Sequence, residues 1–394
     1  MSMKSSRDIV VPVLILVGIG LLMVYSSTAL MSTKKYGSSF HYLWNHLFTV
    51  FAGLITMFVL AKVDYRKFRP LVIVYLVFSL ILLVLVFVPG IGLSANGASR
   101  WIKLWPNTFQ PSELVKITLV IFLADYMSKN IHRMKDFRCG ILIPAGVMLL
   151  FQFIIILQPD FGAVMSIGIL TTCLLILGGA RLRYIWGGVL LSLPILYLLL
   201  FSVPYRKKRM MAFLDPWQDP FESGFQLVQS FIAFGRGSIF GVGIGGSKQK
   251  LFFLPEVHTD FIFSLIGEEI GLIGVLAVVG LFVWLFIKGV MIANRTADPF
   301  SYYLAFGLTL MISCQAIINF SVTTGLMPTK GLPLPFISYG GSALLNNMAA
   351  MGILINISRR NGQVPLASAH HPFHIEGGDS ERSMYGSRRA RMKI

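Results

Sequence analysis

The longest apolar run of the chain covers residues 260–287, DFIFSLIGEEIGLIGVLAVVGLFVWLFI. A bilayer core of about 30 Å needs roughly 20 helical residues, so this run is long enough to cross one. It opens on Asp260 and holds Glu268 and Glu269 among apolar neighbours. Two adjacent acids do not share one helix face, so at least one must face protein or a wet cavity rather than lipid. Outward from this run, ten stretches in all read as spans: Ile9–Leu30, Leu43–Ala61, Pro70–Val88, Leu114–Met127, Cys139–Leu157, Phe161–Leu177, Ile185–Val203, Phe261–Ile287, Tyr302–Val322 and Ala343–Ile357. The expected fold is an all-α polytopic membrane protein of ten transmembrane helices. A long extracytoplasmic loop, from Pro204 to about Asp260, joins helices 7 and 8.

Composition agrees. Of 394 residues, 55% are hydrophobic and 13% charged, about half the roughly 25% charge of soluble domains, which excludes an ordinary cytosolic enzyme. The net charge of +17 would suit nucleic acid, but the bases lie mostly between apolar runs, which points to a bilayer and to no nucleic-acid partner. Cys139, Cys173 and Cys314 have neither disulfide-framework nor metal-ligand spacing. The first span is too long for a signal peptide and lacks a small-residue cleavage site.

Orientation follows from basic residues in short loops. Lys62, Arg66, Lys67 and Arg69 follow span two; Lys129, Arg133, Lys135 and Arg138 follow span four; Arg181 and Arg183 follow span six; Lys288 and Arg295 follow span eight. With Lys4, Arg7, Arg359 and Arg360, all fall on one side, so both termini are expected in the cytoplasm. Arg206-Lys207-Lys208-Arg209 lies on the other side, in the loop long enough to escape the rule. Residues 1–361 form the membrane unit. Residues 362–394 lose hydrophobic periodicity and read as a disordered basic cytoplasmic tail, whose His370, His371 and His374 are weak metal-ligand candidates.

Several polar groups sit where burial is costly. Glu113 and Lys116, in Gln110-Pro111-Ser112-Glu113-Leu114-Val115-Lys116, are three apart and share a helix face. They read either as a structural ion pair or as the polar wall of a cavity. Asp160, in Gln158-Pro159-Asp160-Phe161-Gly162, suits a helix cap as well as a binding role. The long loop carries a glycine-rich run, residues 235–250, with Lys248 and Lys250. Glycines can expose backbone N–H groups to an anion; a flexible turn is the plain alternative. Glu256, His258 and Asp260 bring three titratable groups to the membrane surface, where a carboxylate can serve as a general base. Residues 328–342 hold three prolines and three glycines, with Lys330 and Ser338, and read as an irregular loop lining the same outward cleft.

Four motifs carry a resemblance. Phe109-Gln110-Pro111-Ser112-Glu113-Leu114-Val115-Lys116, Gln158-Pro159-Asp160-Phe161-Gly162, Leu254-Pro255-Glu256-Val257-His258-Thr259-Asp260-Phe261-Ile262-Phe263 and Leu334-Pro335-Phe336-Ile337-Ser338-Tyr339-Gly340-Gly341-Ser342 resemble the SEDS family of bacterial peptidoglycan glycosyltransferases. The resemblance runs from about residue 8 to 360. Asp215-Pro216-Trp217, Ser247-Lys248-Gln249-Lys250 and Pro328-Thr329-Lys330-Gly331 look more like the division branch than the elongation branch.

The resemblance implies polymerisation of lipid II into β-1,4-linked glycan strands at the outer face of the cytoplasmic membrane. The family's essential acidic residue falls on Asp260. Expected partners are lipid II, a class B penicillin-binding protein transpeptidase of the FtsI kind and other divisome membrane proteins. An α-linked pyrophosphate donor and a β-linked product require inversion, for which one base is enough when pyrophosphate leaves. Arg100, Lys116, Lys248 and Lys250 are candidates to stabilise the departing charge. A divalent cation, magnesium or manganese, is left open. Gln110, Glu113, Asp160, Glu256, His258, Lys330 and Ser338 complete the candidate cavity. A lipid II flippase is the rival reading, but no internal repeat is visible and the acids and glycines gather on one face.

Overall fold

The computed structural model describes residues 2–95, 98–104, 107–202, 204–249 and 257–361. The tail, Lys250 and Glu256 therefore lie outside the described residues. The elements, in order, are α1 (Ser2–Tyr36), α2 (His41–Leu60), α3 (Val72–Leu85), β1 (Gly92–Ala95), β2 (Ala98–Leu104), β3 (Asn107–Phe109), α4 (Pro111–Lys129), α5 (Ile143–Leu157), α6 (Phe161–Leu177), α7 (Leu182–Phe201), α8 (Pro204–Leu214), α9 (Phe225–Gly237), α10 (Ile262–Glu269), α11 (Gly271–Asn294), α12 (Pro299–Thr323) and α13 (Gly341–Asn361). The predicted apolar stretches fall on α1 to α7, on α10 and α11 together, and on α12 and α13. Six helical segments are long and apolar enough to cross a membrane: Ser6–Tyr36, His41–Leu60, Tyr65–Leu85, Arg138–Leu157, Gly271–Asn294 and Pro299–Thr323.

Burial sorts the helices into an inner and an outer set. α4 is buried on nearly every side, from Pro111 to Met127, and packs against α3, α6, α12 and α13. A helix buried on all sides must pair its polar groups internally, as Glu113 does with Lys116. α12 joins it there: the Cβ position of Gly307 faces a Val120 methyl, and Gly289 of α11 faces Thr309, so small residues let the helices approach closely. The outer helices expose large apolar side chains such as Phe51, Ile73, Leu190, Leu191 and Leu276, the inverse of a soluble protein's surface. Near the C-terminal end of α4, Asp125 accepts from Arg69 at 2.9 Å and Lys129 at 2.6 Å. Asp298 caps α12 through the Ser301 N–H, with Pro299 in the first turn.

Three expectations need correction. The fold is not purely α: β1, β2 and β3 form an antiparallel sheet in that order between α3 and α4. Pro89 and Gly90 (φ 87°) end the preceding helical run, and the short segment that follows carries no helical periodicity. The long run at 261–287 is not one helix. It breaks at Ile270, and Gly271 sits at φ 76°, a backbone state open to glycine and costly for other residues. The stretch from Pro204 to Asp260 is not simply loop, since it holds α8 and α9. Leu227, Val228, Ser230 and Ala233 of α9 are buried, a helical spacing that its glycine-rich neighbourhood obscured.

Gly20 of α1 marks where an irregular segment lies on a helix. A Cβ there would come within 2.8 Å of Ile337 Cα and O and 2.9 Å of Phe336 O. Gly18, two residues earlier and so on roughly the opposite helix face, has nothing within 4 Å. Gly20→Ala is expected to destabilise the protein by about 1–3 kcal/mol through overpacking against backbone, while Gly18→Ala leaves it unchanged or slightly more stable. Thermal unfolding of the detergent-purified protein checks the contrast.

Candidate functional site

The segment between α12 and α13, residues 324–340, forms no helix or strand, yet much of it is buried. Its backbone groups therefore need partners from elsewhere. Gln315 and Asn319, one turn apart on α12, supply them. Gln315 Nε2 donates to Pro333 O at 3.0 Å, and Asn319 Nδ2 donates to Leu332 O at 2.8 Å and to Asp260 O at 2.9 Å. Ser338 Oγ accepts from Leu334 N at 2.8 Å and donates to Thr259 O. Tyr339 N donates to His258 O at 2.9 Å. The loop and α12 thus grip residues 258–260 by their main chain.

Asp260 is partly exposed, just before α10. Its Oδ2 lies 3.2 Å from where a Cβ on Gly331 would stand, so the absence of a side chain at 331 is what admits the carboxylate. Lys330 precedes that glycine. Its ammonium stands 5.7 Å from the Phe161 ring, and burial pushes it below the usual lysine value.

The same loop reaches α4 and α6. Gln110 N donates to Ser342 Oγ at 2.8 Å, and Asn346 of α13 donates to Glu113 O. Glu113 and Lys116 pair at 2.7 Å, both buried, so the predicted ion pair forms. Asp160 caps α6 through Ala163 N at 3.2 Å, while its other oxygen accepts from Gln110 Nε2 at 3.0 Å and Ser112 Oγ at 3.4 Å. Gln110, Glu113, Lys116, Asp160, His258, Asp260, Lys330 and Ser338 therefore belong to one connected set of elements.

Other candidates go elsewhere. Arg100 donates to the carbonyls of Gln158 and Pro159, which makes it a cap for the reversal between α5 and α6. The glycine-rich run packs backbone to backbone on the break between α10 and α11. A Cβ on Gly237 would overlap Gly267 O at 1.8 Å, and one on Gly241 would meet Glu269 O at 2.2 Å. Val242 N and Gly243 N donate to the carbonyls of Glu268 and Glu269 at 2.9 and 3.0 Å. The fully buried Glu268 carboxylate accepts from Arg236 at 2.9 Å, from Ser247 Oγ and from Lys248 N at 3.2 Å. An anion does occupy this glycine loop, but it is the chain's own Glu268. Lys248 is held there by its amide, eight residues along from Asp260 or about 12 Å of helix. Sequence reasoning missed Gln315, Asn319 and Asn346. The available signal was a polar amide repeated at helical spacing inside an apolar span.

The profile of the FtsW/RodA/SpoVE cell cycle proteins matches residues 7–363. The chain belongs to the FtsW/RodA/SpoVE family. It is 45% identical over 346 residues to a probable peptidoglycan glycosyltransferase FtsW of Geobacter metallireducens, covering 88% of this chain and 92% of that protein. It is 40% identical to the corresponding protein of Legionella pneumophila, covering 87% and 88%. Among solved structures, it matches a chain of a peptidoglycan synthase complex that coordinates polymerization and crosslinking, with TM-score 0.70, 28% identity and coverage of 90% and 98%. The rod shape determining protein RodA of Thermus thermophilus matches with TM-score 0.67, 26% identity and coverage of 91% and 98%. The FtsW relatives of this chain are thus named as probable peptidoglycan glycosyltransferases.

Two outcomes test the site's architecture. Asn319→Leu strands the buried Leu332 carbonyl, at about 1–3 kcal/mol, and frees the partly buried Asp260 carbonyl, and is expected to lower the unfolding temperature markedly. For Lys330, the folded value lies below the unfolded one of about 10.4. The burial penalty is complete below the folded value, and stability rises as pH climbs from there toward the unfolded value, where the unfolded chain binds more protons. Lys330→Met is expected to remove that alkaline rise in unfolding temperature.

Proposed function

We propose that the chain is a peptidoglycan glycosyltransferase that polymerises lipid II into β-1,4-linked glycan strands, with Asp260 as the general base. The observation that carries the reading is the partly exposed Asp260 carboxylate, seated against Gly331 with its backbone fixed by Asn319. The curated relatives' name supports the substrate class. The reaction is an inverting displacement. Asp260 takes the proton of the attacking 4-hydroxyl, the new C–O bond forms on the face opposite the leaving group, and the bond to the undecaprenyl pyrophosphate breaks with its electron pair. The pyrophosphate needs countercharge. Lys330, next to Gly331, is the nearest cation in sequence to the carboxylate's seat. Lys116 is committed to Glu113.

Among the described residues no three His, Cys, Asp or Glu side chains cluster to hold a metal. A magnesium or manganese ion bound here would take Asp260 together with substrate phosphate oxygens, a ligand set magnesium commonly uses.

In this reading the chain crosses the membrane ten times, with both termini in the cytoplasm, residues 204–260 outside and residues 362–394 a basic cytoplasmic tail. It works at the septum with a class B penicillin-binding protein and other divisome membrane proteins. Support comes from the basic-loop bias and from likeness to a synthase complex that coordinates polymerization and crosslinking.

Asp260→Asn is expected to leave the unfolding temperature and partner binding intact and to slow polymerisation by about 100- to 10,000-fold. Purified partner complex incubated with lipid II, with and without divalent cation, measures it. Strands made at the normal rate by this variant would refute the base role.

A further inference from the structure

A ladder of aromatic and imidazole rings leads away from Asp260 to the protein surface, and none of it is used in the reaction above. Its inner end is His258, two residues before the carboxylate, with its ring 5.8 Å from that of Tyr339. The Tyr339 ring lies 5.8 Å from Tyr42 and 5.7 Å from His46. Tyr42 meets His41 edge-on at 5.9 Å and Tyr36 at 5.8 Å. Tyr36 stacks on His41 at 3.9 Å with 21° between the planes. Four separate pieces of chain supply these rings: the end of α1, the start of α2, the segment before α10 and the loop before α13. The turn that brings the first two together depends on Gly37, at φ 71°.

We infer that this ladder is a carbohydrate-binding platform, seating sugar units of the glycan strand adjacent to the one that reacts. The inference rests on the glycosyltransferase reading and adds a binding surface to it. A pyranose ring has apolar C–H faces and polar edges, so a site for it pairs flat aromatic faces with hydrogen-bonding groups at their rims. Both are present. Tyr36 is exposed, and Tyr42, His258 and Tyr339 are half-buried. Around the rings stand Lys35, with Nζ 5.3 Å from the Tyr36 centroid, and Asn45, with Nδ2 3.3 Å from His41 Nε2. His46, at the inner end, is 1% exposed with its ring 5.7 Å from that of Tyr339, so it backs the ladder from within rather than contacting a sugar.

Aromatic residues also gather at membrane interfaces as anchors, and Trp44, 68% exposed on α2, is placed for that role. An anchoring belt needs no ring-to-ring path inward. This one runs from the surface to the backbone-locked pair His258 and Tyr339, the first of them two residues before the reacting carboxylate.

The test titrates full-length protein in detergent with uncrosslinked N-acetylglucosamine–N-acetylmuramic acid oligosaccharides and follows binding by calorimetry. Saturable binding is expected, weakened about three- to tenfold by Tyr36→Ala and retained by Tyr36→Phe. Tyr36 is exposed, so its replacement should keep the unfolding temperature, which is measured alongside. In the partner complex with lipid II, Tyr36→Ala and Tyr42→Ala should give shorter strands. If wild-type protein polymerises lipid II but binds no oligosaccharide, or binds it equally well as Tyr36→Ala with unchanged strand length, the platform is refuted and the enzymatic reading stands. If oligosaccharide binds at the ladder but lipid II is never polymerised, the enzymatic reading falls instead, and with it the platform's assignment to the growing strand.

Discussion

The side-chain amide of Asn319 donates to two carbonyls that belong to different loops, one at Asp260 and one at Leu332. Neither loop has regular secondary structure at those positions, and the Leu332 carbonyl is too buried to rely on bulk water. In an apolar surrounding an orphaned carbonyl is expensive, so irregular backbone persists only where protein groups satisfy it. Asn319, with Gln315 one turn earlier, makes a helix into the scaffold for two loops. The carboxylate of Asp260 keeps its position because its own main chain is fixed.

Main-chain tethering also explains why widely spaced motifs converge. The loop of residues 328–342 touches α1 through Gly20, residues 258–260 through Ser338 and Tyr339, and the start of α4 through Ser342. Motifs separated by more than two hundred residues are held by one continuous loop, and each contact needs a particular residue type: a glycine for close approach, a hydroxyl for a carbonyl, an amide for two.

Much of the helical framework was legible in the sequence, because apolar runs of the required length are a strong signal. The three misreadings have separate physical causes. The break at Gly271 follows Glu268 and Glu269, a dip in hydropathy too short to end the apolar run, and hydropathy does not report backbone angle. The small sheet lies between α3 and α4 in a segment too short for periodicity to declare itself. α9 sits beside glycines that suggested a flexible loop. Within the candidate site, single residues in polar motifs stood out, Asp260 and the Glu113–Lys116 pair among them. Their partners did not, since Asn319 and Asn346 act on backbone carbonyls, which carry no mark in a sequence. The glycine-rich run misled for the same reason: its glycines are there to admit the carbonyls of residues 267–269, and the anion it receives is the Glu268 side chain.

The break between α10 and α11 has a mechanical consequence. α10 is a rod of eight residues, roughly 12 Å long. At one end it carries Asp260; at the other, its terminal carbonyls and the Glu268 carboxylate are stitched to residues 236–248. A force applied to residues 236–248 pulls on the far end of a short stiff lever, and the displacement reaches Asp260 without passing through the long helix α11.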